Sequence, residues 1–119
     1  MKELTVERYL MRQVRKLGGE VRKVVWVGRR NAPDRLVMLP PLPAGSIRTE
    51  THLGQEVHWQ RLLGRDTTIW VELKNPETSL TFPANAHERA QAREHKRMRA
   101  LGQRVEVIGT YAQVDDLLR

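Results

Sequence analysis

Apolar positions recur with a helical period at the start of the chain. The residues in this pattern are Leu10, Val14 and Leu17. Their spacing predicts a helix over 4–17 with one apolar face, because residues three or four apart share a side of a helix. Thr5 is the N-cap that this pattern favours, and the pair Gly18-Gly19 is typical of a helix end.

Three apolar runs of strand length follow this helix. They lie at 21–27, 35–39 and 68–73. The runs 21–27 and 68–73 are rich in β-branched or aromatic residues, the run 35–39 is apolar and of strand length, and all three are soon followed by Gly or Pro, as strands are. The segment 41–67, between the second and third runs, is polar and Pro-rich at its start. We interpret it as an insert, in which a short helix over 56–63 is one option.

The C-terminal part of the chain carries the longest helical pattern, over 86–101. Asn85 and Glu88 fit a capping box at its start, and Gly102 fits its end. The last two predicted elements are a strand at 104–109 and a helix at 112–118. The predicted order is helix, strand, strand, insert, strand, helix, strand, helix. The chain length fits one domain, so we expect a single domain over 1–119 with an insert at about 41–67.

Composition narrows the class of protein. A chain of 119 residues is enough for one domain with a modest core. The absence of cysteine excludes disulfides, thiolate zinc sites and cysteine nucleophiles. The N-terminus lacks the apolar core of a signal peptide, and no apolar run reaches the ~20 residues of a membrane helix. We therefore expect an intracellular, cytoplasmic protein with no membrane partner.

The charge balance is strongly basic. The formal net charge is +7 and the isoelectric point is near 10.5. Such a surplus on a small domain favours a polyanionic partner such as nucleic acid. The alternative is an ordinary basic, solvated surface. No phosphate-binding loop of the Walker type is present.

The first candidate catalytic residues lie at the end of the third apolar run, in the sequence Val71-Glu72-Leu73-Lys74. Alternate residues of a strand share a face, so Glu72 and Lys74 are expected on one side of the sheet. The alternative for such a common pattern is a surface ion pair on a half-exposed strand.

A second carboxylate, Asp34, opens the run at 35–39 and follows Pro33. By itself, the pair Pro33-Asp34 is typical of a turn. If the two strands are neighbours, however, Asp34 and Glu72 come together. Two carboxylates suit a hard cation such as Mg²⁺ that also binds a phosphate, and a nearby lysine can position water or offset charge on the phosphate. The set therefore suits phosphodiester hydrolysis.

Glu7 lies on the apolar stripe of the first helix, in line with Leu10 and Val14. An inward carboxylate is costly unless it is paired or bound to metal, so one interpretation is a further metal ligand. The other is a solvated residue near the helix start that the helix dipole favours.

The long helix adds two polar candidates, Gln91 and His95, one turn apart. They flank the side expected to pack on the sheet and are candidates to orient water or contact phosphate. The alternative is a boundary position that is hydrogen-bonded to backbone. Basic residues near Asp34 are candidates for contacts with the DNA backbone, and they are Arg29, Arg30 and Arg35.

Taken in order, these residues resemble a known family. The segments are Gly28-Arg29-Arg30-Asn31-Ala32-Pro33-Asp34, then Val71-Glu72-Leu73-Lys74, then Gln91 on a helix that ends in Leu101-Gly102. They resemble the VRR-NUC (virus-type replication-repair nuclease) domain of the PD-(D/E)XK nuclease superfamily over nearly the whole chain. The resemblance implies a restriction-endonuclease-like α/β fold, a central mixed sheet flanked by helices in the order α-β-β-(insert)-β-α-β-α.

The resemblance also implies Mg²⁺- or Mn²⁺-dependent cleavage of DNA without an organic cofactor. The implied roles are metal ligand for Asp34, Glu72 and the backbone carbonyl of Leu73, helix-one carboxylate for Glu7, catalytic lysine for Lys74 and helix glutamine for Gln91. From their charge and position, Arg29, Arg30, Arg35 and His95 are candidates for DNA contacts. Small stand-alone members from phages and bacteria look like homodimers that cut branched DNA such as four-way (Holliday) junctions. Larger relatives carry the domain in DNA repair enzymes.

One departure from the family pattern is the insert, which separates Asp34 from Glu72 where a short turn is common. Our leading hypothesis is a structure-selective, metal-dependent DNA endonuclease. The alternatives are a non-catalytic basic nucleic-acid-binding module and a restriction-type nuclease that cuts duplex DNA.

Overall fold

A computed structural model describes residues 3–41, 47–52, 54–60 and 66–119. The helices are α1 (Glu3–Lys16), α2 (Pro76–Ser79), α3 (Ala86–Ala100) and α4 (Tyr111–Leu117). The strands are β1 (Glu20–Lys23), β2 (Arg35–Met38), β3 (Ile47–His52), β4 (Gln55–Gln60), β5 (Thr68–Leu73) and β6 (Val105–Ile108).

Four of these strands form one mixed sheet in the order β1-β2-β5-β6. The pairs β1·β2 and β2·β5 are antiparallel, and β5·β6 is parallel, with α3 in the crossover. Helices cover both faces of the sheet. This architecture confirms the α/β, restriction-endonuclease-like fold with a mixed central sheet.

The core lies between the sheet and the pair α1 and α4. Alternate residues of β5, Ile69, Val71 and Leu73, point into it. Helix α1 contributes Val6, Leu10 and Val14, all fully buried, as the helical period predicts for the last two. Leu17 follows the end of this helix and is 41% exposed, so the predicted apolar stripe is one turn too long at its C-terminal end.

The start of α1 differs from the prediction. The helix already includes Glu3, so Thr5 lies inside its first turns and is not the N-cap. The predicted end is close: α1 ends at Lys16, and Gly18 has a φ of +84°. Gly19 is required for a different reason, because a Cβ there would lie 2.3 Å from the carbonyl oxygen of Met38.

Strand β1 is shorter than its apolar run. It ends at Lys23, although the N–H of Val24 still donates to the carbonyl of Asp34 at 2.9 Å. Beyond this point Trp26 turns back, and its indole N–H donates to the carbonyl of Pro33 at 2.8 Å. Val25 and Val27 are exposed, so their β propensity does not extend the strand.

The insert contains a β-hairpin. Strands β3 and β4 pair antiparallel in a separate two-stranded sheet, and Gly54 between them has a positive φ. The helix considered over 56–63 is wrong where the chain is described, since Gln55–Gln60 is a strand. Residues 61–63 lie outside the described residues.

Helix α3 begins as predicted, with the side chain of Asn85 accepting from the N–H of Glu88 at 2.8 Å. The reciprocal bond shifts by one residue, because Glu88 accepts from the N–H of Ala84. A complete capping box occurs instead at α4, between Thr110 and Gln113. Within the described ranges, no helix is both long and apolar enough to cross a bilayer.

Candidate active site

The register of β2 and β5 brings two carboxylates together. Arg35 pairs with Val71 at the end of the antiparallel ladder, so the next opposite positions are Asp34 and Glu72. Directly opposite residues share a face of the sheet, with Cβ atoms about 5 Å apart. The face is the one that α3 covers, because Val71 and Leu73 point to the other side.

The two carboxylates differ in exposure. The side chain of Asp34 is 47% exposed, whereas Glu72 as a residue is only 8% exposed. Glu72 therefore needs a partner from the protein, while Asp34 opens the site to solvent.

That partner is His95 on α3. Its Nε2 lies 3.3 Å from Oε1 of Glu72, and the residue is 0% exposed. Its Nδ1 has no hydrogen-bond partner among the described residues, and its ring stacks on Phe82 at 5.6 Å. The expected DNA contact does not fit a fully buried ring. His95 instead contacts the carboxylate of Glu72, which the family resemblance implies is a metal ligand.

Lys74 directly follows the last residue of β5, and contacts with α3 hold its side chain in place. Its Nζ donates to Oε1 of Gln91 at 2.9 Å and lies 3.4 Å from Oε2 of Glu88. The ammonium group also stands 5.5 Å from the centre of the Phe82 ring, within cation–π range. The structure thus places Lys74 against Gln91, on the sheet face that strand alternation also predicts for Glu72.

Glu88 also belongs to the site, although the sequence pattern predicts for it only a helix-capping role. It is 4% exposed, and its pKa is lowered, first by the N–H of Ala84 and then by Lys74, against the opposing effect of burial. The sequence did contain a signal that Glu88 lies at the site: it precedes Gln91 by three residues, and residues three apart share a helix face.

Glu7 reaches the site through Arg35. The guanidinium donates from Nε to Oε1 of Glu7 and pairs through Nη1 with Oδ1 of Asp34, both at 2.9 Å. Burial alone would lower the pKa of Arg35, but the hydrogen bond to Glu7 and the two carboxylate charges raise it overall. The inward carboxylate of Glu7 is therefore paired with an arginine, and neither interpretation made from the sequence included this pair.

Arg35 is consequently turned inward, with a side chain only 12% exposed. Arg29 donates two hydrogen bonds to Glu94 of α3, at 2.7 and 2.6 Å, which ties the segment before Asp34 to this helix. Its side chain is still 48% exposed. Arg30 is exposed and makes no hydrogen bond or ion pair with the rest of the described chain.

The donor set can be compared with what Mg²⁺ or Mn²⁺ requires. Among the described residues, no group of three or more His, Cys, Asp or Glu side chains is arranged to hold a metal. Glu7 therefore does not complete a triad with Asp34 and Glu72. Two carboxylates with a carbonyl such as that of Leu73 nevertheless fit Mg²⁺, which commonly binds through one or two carboxylates, waters and a substrate phosphate.

Known proteins of similar sequence and structure indicate the family of the chain. No protein-family model matches the chain. The chain is 35% identical over 108 residues to "Putative nuclease p44" of Acyrthosiphon pisum secondary endosymbiont phage 1, covering 91% of this chain and 83% of that protein. It is also similar to a solved structure described as a VRR_NUC domain, with a TM-score of 0.64 and 33% identity over 99% of this chain and 95% of that one.

Proposed function

The chain belongs to the VRR-NUC family of nucleases, and from this premise we propose that it is a metal-dependent endonuclease that hydrolyses phosphodiester bonds in DNA. One observation carries the proposal: Asp34, just before β2, is at the position opposite Glu72 of β5, and Lys74 follows two residues after Glu72 on the same face. A module that only bound DNA would not need carboxylates where the phosphate must approach.

In this proposal Asp34 and Glu72 hold one Mg²⁺ or Mn²⁺, together with the carbonyl of Leu73. When bound, the metal polarises a phosphoryl oxygen and lowers the pKa of a coordinated water. His95 fixes the buried carboxylate of Glu72 so that it keeps one orientation.

Lys74 supplies a positive charge beside the metal site. An ammonium group has three N–H donors, and two of them are directed at Gln91 and Glu88. The third is available for a water or a phosphate oxygen, where it can orient the nucleophile or offset charge that develops in the transition state.

In this proposal Arg35 reduces the negative charge that a phosphate meets at the site. Without metal, Asp34 and Glu7 would repel an approaching phosphate, and the guanidinium between them offsets that charge. Glu7 then acts on the site through Arg35, which keeps the open carboxylate of Asp34 in place.

We propose further that the substrate is branched DNA such as a four-way junction, cut by a homodimer. A two-fold dimer would present two sites to two strands, as paired cuts require. The net charge of +7 favours a substrate in which several negatively charged DNA backbones lie close together. The β3–β4 hairpin lies in the sequence between β2, which Asp34 precedes, and β5, which carries Glu72. Dimerisation is checked by sedimentation.

The test uses purified protein with Mg²⁺ or Mn²⁺ and labelled four-way, flap, splayed and linear duplex DNA. We expect metal-dependent internal cleavage, fastest on the branched substrates, and no cleavage by Lys74→Ala although it still binds DNA. If the folded protein binds metal and cuts none of these DNAs, the nuclease proposal is wrong. Equal cleavage of linear and branched DNA would retain the nuclease but contradict the proposed substrate.

A further inference from the structure

A second feature lies beside the site on the same face of the sheet. It is a pocket of about 340 Å³ between β5, the start of the segment that leads into β2, and the C-terminal half of α3. Its apolar walls include Trp26, Trp70, Met98 and Leu101, and Arg29 and Arg97 also line it. We propose that this pocket binds an unpaired nucleobase of the DNA strand whose phosphate occupies the site, an inference that rests on the proposed nuclease function.

The pocket is placed to receive the cleaved strand. Trp70 lies two residues before Glu72 on β5, so both side chains point to the α3 face. Two residues of a strand span about 7 Å, which is about the rise of two base pairs (~3.4 Å each) along the axis of B-DNA. A base within one or two positions of the phosphate at Glu72 can therefore reach Trp70.

The two indole rings leave apolar surface available. Their centroids lie 5.0 Å apart and the planes are tilted by 46°, so the rings are not stacked face to face. Both ring N–H groups already donate hydrogen bonds, that of Trp26 to the carbonyl of Pro33 and that of Trp70 to Oε1 of Gln103 at 3.2 Å. What remains for a ligand is π surface, on which any base can stack without regard to sequence.

Leu101 continues this surface outward. It is 80% exposed although it is a large apolar residue next to the pocket. Exposed apolar side chains scattered singly need no explanation, but one that extends an aromatic pocket enlarges the surface that a base can cover.

Charge around the pocket favours a nucleotide over an apolar peptide. Arg29 and Arg97 both pair with Glu94, which is 2% exposed, so two cations share one buried anion. The arginine side chains remain 48% and 58% exposed. An apolar cavity beside a surplus positive charge suits a ligand with an apolar ring and an anionic backbone.

The first experiment measures DNA binding without metal, where no cleavage occurs. Splayed DNA with a single-stranded arm is compared with a series in which one unpaired base at a time is removed as an abasic site. We expect one or two positions near the junction to weaken binding about tenfold, the usual effect of losing one stacked base. Abasic sites at the remaining positions should leave binding equal to that of the intact arm. Blunt duplex offers no unpaired base and should bind about as weakly as the abasic DNA.

The protein is then varied at the pocket and, as a matched control, on the other face of the sheet. Leu101→Glu should lower affinity for the intact arm to that of the abasic DNA. Leu17→Glu, at an exposed leucine after α1, should not. In Trp59→Phe the two remaining tryptophans both belong to the pocket, and their emission should be quenched by the intact arm and not by abasic DNA.

Three results would overturn the proposal. The first is that no abasic position weakens binding, and the second is that the two leucine variants weaken it equally. The third is that the free protein is a dimer that Leu101→Glu dissociates, which would mean that a second copy of the chain fills the pocket. Because binding is measured without metal, a chain that stacks the base but cuts no DNA contradicts only the nuclease proposal.

Discussion

Nζ of Lys74 donates to Oε1 of Gln91 at 2.9 Å, so a lysine at the end of a strand is held by the helix that covers it. Its second acceptor, Glu88, belongs to the same helix. The position of the ammonium group therefore depends on how α3 packs on β5, and not only on the rotamer of a long side chain.

Replacement of Lys74 by methionine is expected to remove cleavage while DNA binding is retained. Methionine keeps most of the side-chain length but has no charge and no donor. Loss of a group that positions or transfers a proton costs about 10²- to 10⁴-fold in rate. Single-turnover cleavage of the best DNA substrate measures this loss. Lys96→Met, at an exposed lysine of α3, is the matched control and should cut at the normal rate.

Gln91→Met is expected to lower the cleavage rate less than Lys74→Met, by roughly tenfold, the cost of one hydrogen bond to a charged group. Lys74 would retain Glu88 as an acceptor but lose the contact that fixes its direction. A single-turnover rate at saturating metal measures the effect. A fall in DNA affinity with no change in rate would instead place Gln91 on the substrate, and a melting temperature equal to that of the unaltered protein excludes a folding defect.

Asp34→Asn is expected to weaken Mn²⁺ binding by roughly tenfold or more, because even residues that only support a metal ligand contribute 10- to 100-fold to affinity. Titration calorimetry without DNA measures the affinity and is independent of cleavage. Glu20→Gln, at an exposed carboxylate paired with Arg22, is the control and should bind normally. Normal Mn²⁺ binding by Asp34→Asn would remove this carboxylate from the metal site.

The sequence predicted the β5 part of the site well. Strand alternation has a short period, and Val71 and Leu73 are apolar enough to fix which face is buried. Glu72 and Lys74 had then to share the other face. The approach of Asp34 depended on β2 and β5 being neighbours, which periodicity alone does not specify and which the family resemblance supplied.

Pairings between distant charged side chains were not predicted. Arg35 follows Asp34 directly, and nothing in the local sequence shows that its guanidinium reaches Glu7, 28 positions earlier. The burial of His95 was missed for a related reason, because helical spacing gives its direction but not the depth to which α3 packs. The hairpin in the insert was also missed, since its strands are polar and lack the apolar alternation that identifies a half-buried strand.

Glu94→Gln is expected to change how stability depends on pH. Hydrogen bonds and charge from Arg29, then Arg97, lower the pKa of Glu94 in the folded protein, against the opposing effect of burial. In the unfolded chain a glutamate titrates near 4.3, as an approximate reference value. As pH falls, the unfolded state therefore takes up the proton first, and the stabilisation present above that value is lost down to the lower folded pKa.

The glutamine variant cannot lose this contribution, so its melting temperature should fall less steeply between about pH 5 and the acid limit. At neutral pH it should melt lower by roughly 5 °C, because the segment that leads to Asp34 loses a charged anchor on α3. Thermal unfolding followed by circular dichroism over a pH series measures both effects. Glu20→Gln, at a side chain 60% exposed, should retain the acid slope of the unaltered protein. If both variants follow one curve, the contact between Arg29 and Glu94 does not stabilise the fold in solution.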